Sequence, residues 1–394
     1  MFDLAASCRR VAGTYRGERL DRVPIISPLP WRPHMDIDRD RPADWRGEED
    51  FVEVARMVQQ HCDPLPPFNA VGHPPVFASI SYQRFCEAPD EVIEALPPEP
   101  LDNGRIRHIH ILHTPAGNLK YVYEQQPGIF TTWDMHRPIQ CPDDVEKMLS
   151  VPYRFDPPPA EGFEPFRRHR AKMGPDAIGG GSVNSMVAML CGMMSFQLLL
   201  EWVVAEPGLI QALADAWLER VSQKVDFLLA QGVGPFWHFN GVERASPPMM
   251  GPRQWDRWVV PYDGEIMRRI KQADPDARIH VHCHGRVGTL LGSFIEMGVD
   301  STDPVEPPPQ GDITFDQAKA RAAGRLTLVG NIEFLDMDTA SPEQIEANVR
   351  HAIADGGKDH VILCPSATPH EKPTRRFIDN AVRYIEAGLK YGQF

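Results

Sequence analysis

Residues 280–285 read His-Val-His-Cys-His-Gly, with three imidazoles at every second position. On an extended strand side chains alternate between faces, so His280, His282 and His284 share one face while Val281 and Cys283 share the other. Neighbours along one face stand roughly 6.5–7 Å apart, and two imidazoles at that spacing can reach one metal through bonds of about 2 Å. His280 and His284 lie about twice that far apart, so three-way convergence along a single strand is difficult. His282 and His284 are the expected ligand pair, because they sit nearest the C-terminal end of the strand, where parallel α/β folds place their active sites. Gly285 then lets the chain turn sharply away. The competing reading is three histidines hydrogen-bonded within a polar strand face.

Protein zinc sites use at least three ligands. Cys364, which closes the run His-Val-Ile-Leu-Cys, is the most zinc-like third ligand, though a strand cysteine is often simply a buried small residue. Acidic residues follow several apolar runs: Glu243 after Phe-Trp-His-Phe-Asn-Gly, Asp303 and Glu306 within Val-Asp-Ser-Thr-Asp-Pro-Val-Glu, then Asp312 and Glu333. Brought together, Glu243, Asp303 and Glu306 could complete a metal shell or act as general acid and base; taken singly, each reads as a solvated loop acid. Asn331 is a polar residue at the end of an apolar run, suited to touching a ligand or capping a turn. Trp31 and Arg32 follow Val-Pro-Ile-Ile-Ser-Pro-Leu-Pro, and Trp237 and His238 lie in another apolar segment. These four are the candidate substrate-binding set with Asn331. Arg32 can hold a carboxylate bidentately or end in a surface salt bridge.

The elements that must position these groups alternate in the second half of the chain. Apolar residues at helical spacing predict helices over 206–231, 252–273, 287–298, 313–324, 341–357 and 374–392, with Ser341 and Gln344 forming a capping box before one of them. Short apolar runs between them predict strands. Such alternation implies a parallel sheet with crossover helices, and on pattern alone a barrel and a doubly wound sheet fit equally. The stretch GGGSVNS at 179–185 lacks both phosphate-binding fingerprints. The first half is less regular. Residues 76–140 contain a predicted β-hairpin turning near Pro115-Ala116-Gly117-Asn118 and read as an inserted β-rich cap.

At 394 residues the chain fits a single large domain. The net charge of -13 argues against nucleic acid as a partner. Seven scattered cysteines without a CxxC pair suit reduced thiols. The N-terminal stretch reads as an amphipathic helix rather than a signal peptide, and no run of 18 apolar residues marks a membrane span, so a cytoplasmic protein is expected.

Several blocks in order carry a family resemblance: GERLDRVPI at 17–25, ASPPMMGPRQWDRWVVPYDGEIMRRIK at 245–271, HCHGRVGTLLGSFIEMGVDSTDPVEPPPQGDI at 282–313, LTLVGNIEF at 326–334, and GGKDHVILCPSATPHEKPTRRFIDNAVRYIEAGLKYG at the end. Together they resemble the uroporphyrinogen decarboxylase superfamily, which includes cobalamin- and coenzyme M-linked methyltransferases. The resemblance implies a (β/α)8 TIM barrel spanning 1–394, with the site at the C-terminal strand ends. In the methyltransferase branch it implies zinc on a His-x-Cys-Gly segment plus a cysteine after the last strand. Here the segment reads His282-Cys283-His284-Gly285. Ala367 stands at the later cysteine position, and Cys364 lies three residues earlier. The implied enzyme is a metal-dependent methyltransferase moving a methyl group between a small methylated substrate and a corrinoid. The metal is expected to be zinc, held by His282, His284 and Cys364. The corrinoid would sit on a partner protein, because the chain lacks an Asp-x-His-x-x-Gly segment. A homodimer is expected. The alternative is a metal-free decarboxylase of a carboxylated small molecule or tetrapyrrole, with Arg32 on the carboxylate. The stretch that corresponds to that branch's arginine-rich loop, SPLPWRPHMDIDRDR, has Arg32 but not the arrangement of arginines around a glycine that the resemblance implies there. A non-catalytic binding barrel is the third reading, disfavoured because clustered acids and histidines are costly without a task.

Overall fold

A computed structural model describes residues 3–66, 73–75, 78, 92–129 and 131–394. Part of the expected 76–140 insertion therefore lies outside the described residues. The remainder forms an antiparallel sheet of β1 (Ile93–Ala95), β2 (Glu99–Pro100), β3 (Ile106–Thr114), β4 (Gly117–Gln125) and β5 (Thr132–His136). Strands β3 and β4 pair along their whole length, from Ile106↔Gln125 to Thr114↔Gly117, so the hairpin turns on Pro115 and Ala116.

The second half builds a parallel sheet in chain order: β6 (Gly180–Asn184), β7 (Phe236–Asn240), β8 (Arg278–His282), β9 (Ser301–Asp303), β10 (Thr327–Ile332) and β11 (Val361–Pro365). Beyond β11 the array continues. Ile25 bridges Leu363 in parallel, and Ile26 bridges Asp63 in parallel. Eight segments thus run side by side from β6 round to Asp63; among the described residues no pairing joins Asp63 to β6.

The period-two alternation of these strands sorts side chains into two apolar layers. Trp237, Phe239, Ile279, Val281 and Cys283 pack outward against the helices in the larger core cluster. Ile26, Phe236, Val329, Ile362 and Cys364 belong to the second cluster, into which the helix Leu4–Tyr15 inserts Cys8, Val11, Ala12 and Tyr15. The amphipathic N-terminus is therefore a plug against the sheet, fastened by ion pairs from Arg10 to Asp21 and Asp63.

Most helices start and stop as the spacing predicts, with three differences. The one expected over 287–298 is a 3-10 turn, Val287–Thr289, followed by a short helix, Leu291–Glu296. The helix expected over 252–273 is two, Pro252–Trp258 and Asp263–Ala273, with Pro261 in the break, where its missing N–H cannot continue the ladder. The capping box at 341–344 is half formed. Ser341 Oγ accepts from Gln344 N–H at 3.3 Å, but the Gln344 amide turns to Asn348 at 2.9 Å. No described helix is long and apolar enough to cross a membrane.

Candidate functional site

Parallel register turns a sequence pattern on one strand into a row across several. His238 on β7 pairs with His280 on β8, and His280 pairs with Ser301 on β9. One step toward the C-terminal ends, His282 pairs with Asp303. Adjacent strands are about 4.8 Å apart, so groups that a single strand holds 7 Å apart come within reach across the sheet. The His238 and His280 rings stack with centroids 5.4 Å apart.

Asp303 is the hub, and its side chain is nearly buried. Its Oδ2 lies 3.1 Å from His282 Nδ1, and its Oδ1 lies 2.7 Å from His280 Nε2. The second contact is close but off the axis of a hydrogen bond, so both atoms are buried with no hydrogen-bond partner. His238, His280 and Asp303 each offer a ligand atom, all within 4.8 Å of one another, and this set can hold a metal ion. Among the described residues no other set of three does so.

Electrostatics follow from the same hub. Burial alone raises a carboxylate and lowers an imidazole. At Asp303 the neighbouring His282 and His280 outweigh burial and hold the carboxyl well below its usual range. At His282 burial is again outweighed, here by the charge and hydrogen bond of Asp303 with help from Glu243 and Glu306, and the imidazole is raised to about 9. At His238 the charge of Asp303 pulls the imidazole up, but it does not prevail. Burial and the charge of His280 keep it well below the ordinary value, as the neutral imidazole that a metal requires.

A second dyad lies above the first. His284 Nδ1 meets Glu306 Oε1 at 2.8 Å, and Gly285 N–H donates to Glu306 Oε2 at 2.6 Å. Gly285 takes φ +88°, the left-handed turn that aims its N–H at this carboxylate. Burial raises Glu306, but His284 and Gly285 prevail and lower it. Glu333 is raised instead, by burial and then by the charge of Glu306. Two carboxyls pushed apart in this way suit opposite proton-transfer roles. The Glu306 loop is closed by Gly311, where an added Cβ would lie 1.9 Å from the Glu306 carbonyl oxygen. Gly311→Ala is expected to displace this backbone and cost about 1–3 kcal/mol. A denaturant midpoint equal to wild type would contradict that.

The sequence-selected residues are distributed unevenly over this site. Asp303, Glu306, His282, His284 and His238 come together at the strand ends, with the His282 and His284 rings 4.7 Å apart. Glu243 follows β7 and keeps Oε2 buried with no hydrogen-bond partner. Asn331 lies in register with Cys364 on neighbouring strands. Cys364 is buried among apolar residues, with Sγ 3.2 Å from the Pro365 carbonyl, and burial raises its thiol well above the usual range. It joins no ligand set with His282 and His284. Trp237 points to the helix side, its ring against Gly181, and Trp31 is also in the outer core. Arg32 reaches His73 at 3.2 Å. Sequence reasoning passed over His280, Ser301 and Tyr15. The available signal was the matched alternation of Phe-Trp-His-Phe and His-Val-His, which parallel pairing sets side by side.

Residues 131–374, well over half the chain, match the family described as uroporphyrinogen decarboxylase (URO-D). The chain belongs to that family. Within it, 167 residues are 26% identical to a uroporphyrinogen decarboxylase of Erythrobacter litoralis; the match covers 40% of this chain and 46% of that protein, so the chain spans about half the length of this relative. A methyltransferase from Methanosarcina mazei superposes over 99% of both chains with a TM-score of 0.54 at 16% identity, a likeness of fold. URO-D family membership supports an enzyme.

Proposed function

We propose that this URO-D family enzyme transfers a methyl group between a small methylated compound and a corrinoid carried by a partner protein, with the help of a divalent metal. In this reading the eight parallel segments close as a barrel over the whole chain, and the antiparallel sheet caps the site. The observation that carries the reading is the convergence of His280 Nε2 and Asp303 Oδ1, buried 2.7 Å apart without a well-aligned hydrogen bond, beside His238. Buried polar atoms without a well-aligned partner are costly, and a cation held among them relieves that cost. A metal bound there would supply Lewis-acid activation of the methylated group. His238, His280 and Asp303 would hold it, a nitrogen-rich set without thiolate. Asp303 keeps the overlying His282 protonated, aimed toward bound substrate. Glu306 orients His284, and Glu333 is held toward its protonated form, so that this upper layer can move a proton at the leaving atom.

Elemental analysis of the full chain, with methylcobalamin formation from cob(I)alamin and a panel of O- and N-methyl compounds, tests the proposal. Stoichiometric metal that is lost in His238→Ala/His280→Ala, together with methyl transfer, is the expected result. Absence of metal after reconstitution would sink it. Release of carbon dioxide from carboxylated compounds by a metal-free chain would favour the decarboxylase reading, which the Erythrobacter relative supports. In the same assay Glu306→Gln is expected to lower turnover by about 10²–10⁴-fold, because His284 loses its oriented partner. Its metal content should match wild type.

A further inference from the structure

His280 has two ring nitrogens and two unlike neighbours. Nδ1 lies 2.7 Å from Ser301 Oγ and 3.4 Å from Tyr15 Oη, and Ser301 Oγ donates to Tyr15 Oη at 2.7 Å. Nε2 faces Asp303 Oδ1 at 2.7 Å. His280 and Ser301 are fully buried, and Tyr15 and Asp303 are each only 8% exposed. Tyr15 comes from the N-terminal helix and meets the same sheet face as the strand-end dyads, but toward the N-terminal ends of the strands, where Phe236 and Arg278 pair. The edge-on ring of Phe236, with centroids 4.8 Å apart, holds it in place.

A serine hydroxyl has one proton to give. Ser301 spends it on Tyr15, so the proton shared with His280 comes from Nδ1. A neutral imidazole with Nδ1–H carries its lone pair on Nε2. Nε2 is then the ring atom left to face Asp303 Oδ1 at 2.7 Å, with both atoms buried. We propose that Ser301 and Tyr15 are positioning residues of the metal seat: they hold His280 as the Nδ1–H tautomer, so that Nε2 joins Asp303 and His238 on one divalent ion. This rests on the metal seat proposed above. Ligand histidines commonly give their second N–H to such an outer partner. Two imidazoles and a carboxylate suit zinc, iron(II) or cobalt(II) rather than a hard or a purely thiophilic ion.

The geometry also gives the pair a built-in reserve. With Ser301 Oγ removed, Tyr15 Oη remains near Nδ1 and can accept its proton. Ser301→Ala and Tyr15→Phe should therefore each weaken metal binding less than tenfold, while the double variant should weaken it about 10–100-fold. The experiment titrates the chelator-stripped full chain with cobalt(II), followed by visible absorption, with zinc by competition. Circular dichroism and thermal unfolding on the same samples establish that each variant is folded. The expected result is a non-additive loss of affinity with a changed cobalt spectrum in the double variant. A folded double variant that binds cobalt(II) as wild type does would overturn the inference alone. Wild type that takes up no metal would overturn the metal seat itself, and the inference with it.

If the double variant does not fold, nitrogen-15 NMR of histidine-labelled wild type decides. His280 should carry its proton on Nδ1, and its Nε2 resonance should move on loading with zinc. A proton on Nε2 in the zinc-loaded protein would overturn the assignment.

Discussion

Asp303→Ala is expected to lose the bound metal and to cost about 3–5 kcal/mol of folding stability, the range for removing one partner of a buried ion pair. The carboxylate serves both histidines of β8, and its removal strands each in a different way. His280 Nε2 keeps its buried lone pair with neither metal nor carboxylate beside it. His282 loses the charge and hydrogen bond that raise it to about 9, and burial then drives it toward the neutral form. Asp303→Asn should fall between, since the amide keeps the volume and one acceptor but not the charge. The effect depends on pH with a definite sign. His282 is raised from 6.5 to about 9, so its contribution is complete below 6.5 and is lost as pH rises through about 9. Asp303 is depressed below 3.8, so its contribution is present above 3.8 and is lost as pH falls through its lower folded value. For metal-free protein the gap between wild type and Asp303→Ala is thus widest from about pH 4 to 6.5 and narrows toward pH 9. Denaturant unfolding of metal-free samples at pH 5.5 and 9 measures it. A gap that is the same at both pH values would show that His282 does not draw its charge from this residue.

The parallel sheet was legible because its strands and helices carry clean periodicities, and because period two also explains why Trp237 and His238 face opposite ways. What one strand could not reveal was the partner on the next. Along β8 alone, His280 stands too far from His284 to share a metal, so the reading moved to His282 and His284 and sought a third ligand in Cys364. Across the sheet, His280 lies beside His238 and one residue pair below Asp303. Register between strands depends on loop lengths and on the packing of both faces, and local pattern does not encode it. Cys364 shows the converse: a strand-end cysteine with the right chemistry, set by register among Val329, Ile362 and Ile26. Tyr15 was out of reach altogether, since it meets Ser301 across 286 residues of sequence.

Asp263→Asn is expected to reverse the usual loss from a buried substitution above neutral pH. Asp263 begins the helix Asp263–Ala273 and is fully buried. It accepts from Ser185 Oγ at 2.7 Å and from Met186 N–H at 3.1 Å, tying that helix to the chain just past β6. Burial raises its carboxyl from 3.8 to about 7, against the pull of these two donors. Asp303 is also buried and moves the opposite way because imidazoles face it, whereas Asp263 faces only neutral donors; the partner set decides the sign. An acid raised in the folded state contributes fully below its unfolded value of 3.8, and that contribution is lost as pH rises through about 7. Relative to an amide that does not titrate, wild type should lose on the order of 4 kcal/mol across this window. Wild type should therefore be at least as stable as Asp263→Asn near pH 4 and less stable at pH 8, by that amount less the roughly 1 kcal/mol cost of an imperfect amide fit. Unfolding free energies at pH 4.5, 6 and 8 give the crossover. Parallel curves would mean that Asp263 stays ionised throughout, with the helix N-terminus and its two donors sufficient to carry the charge.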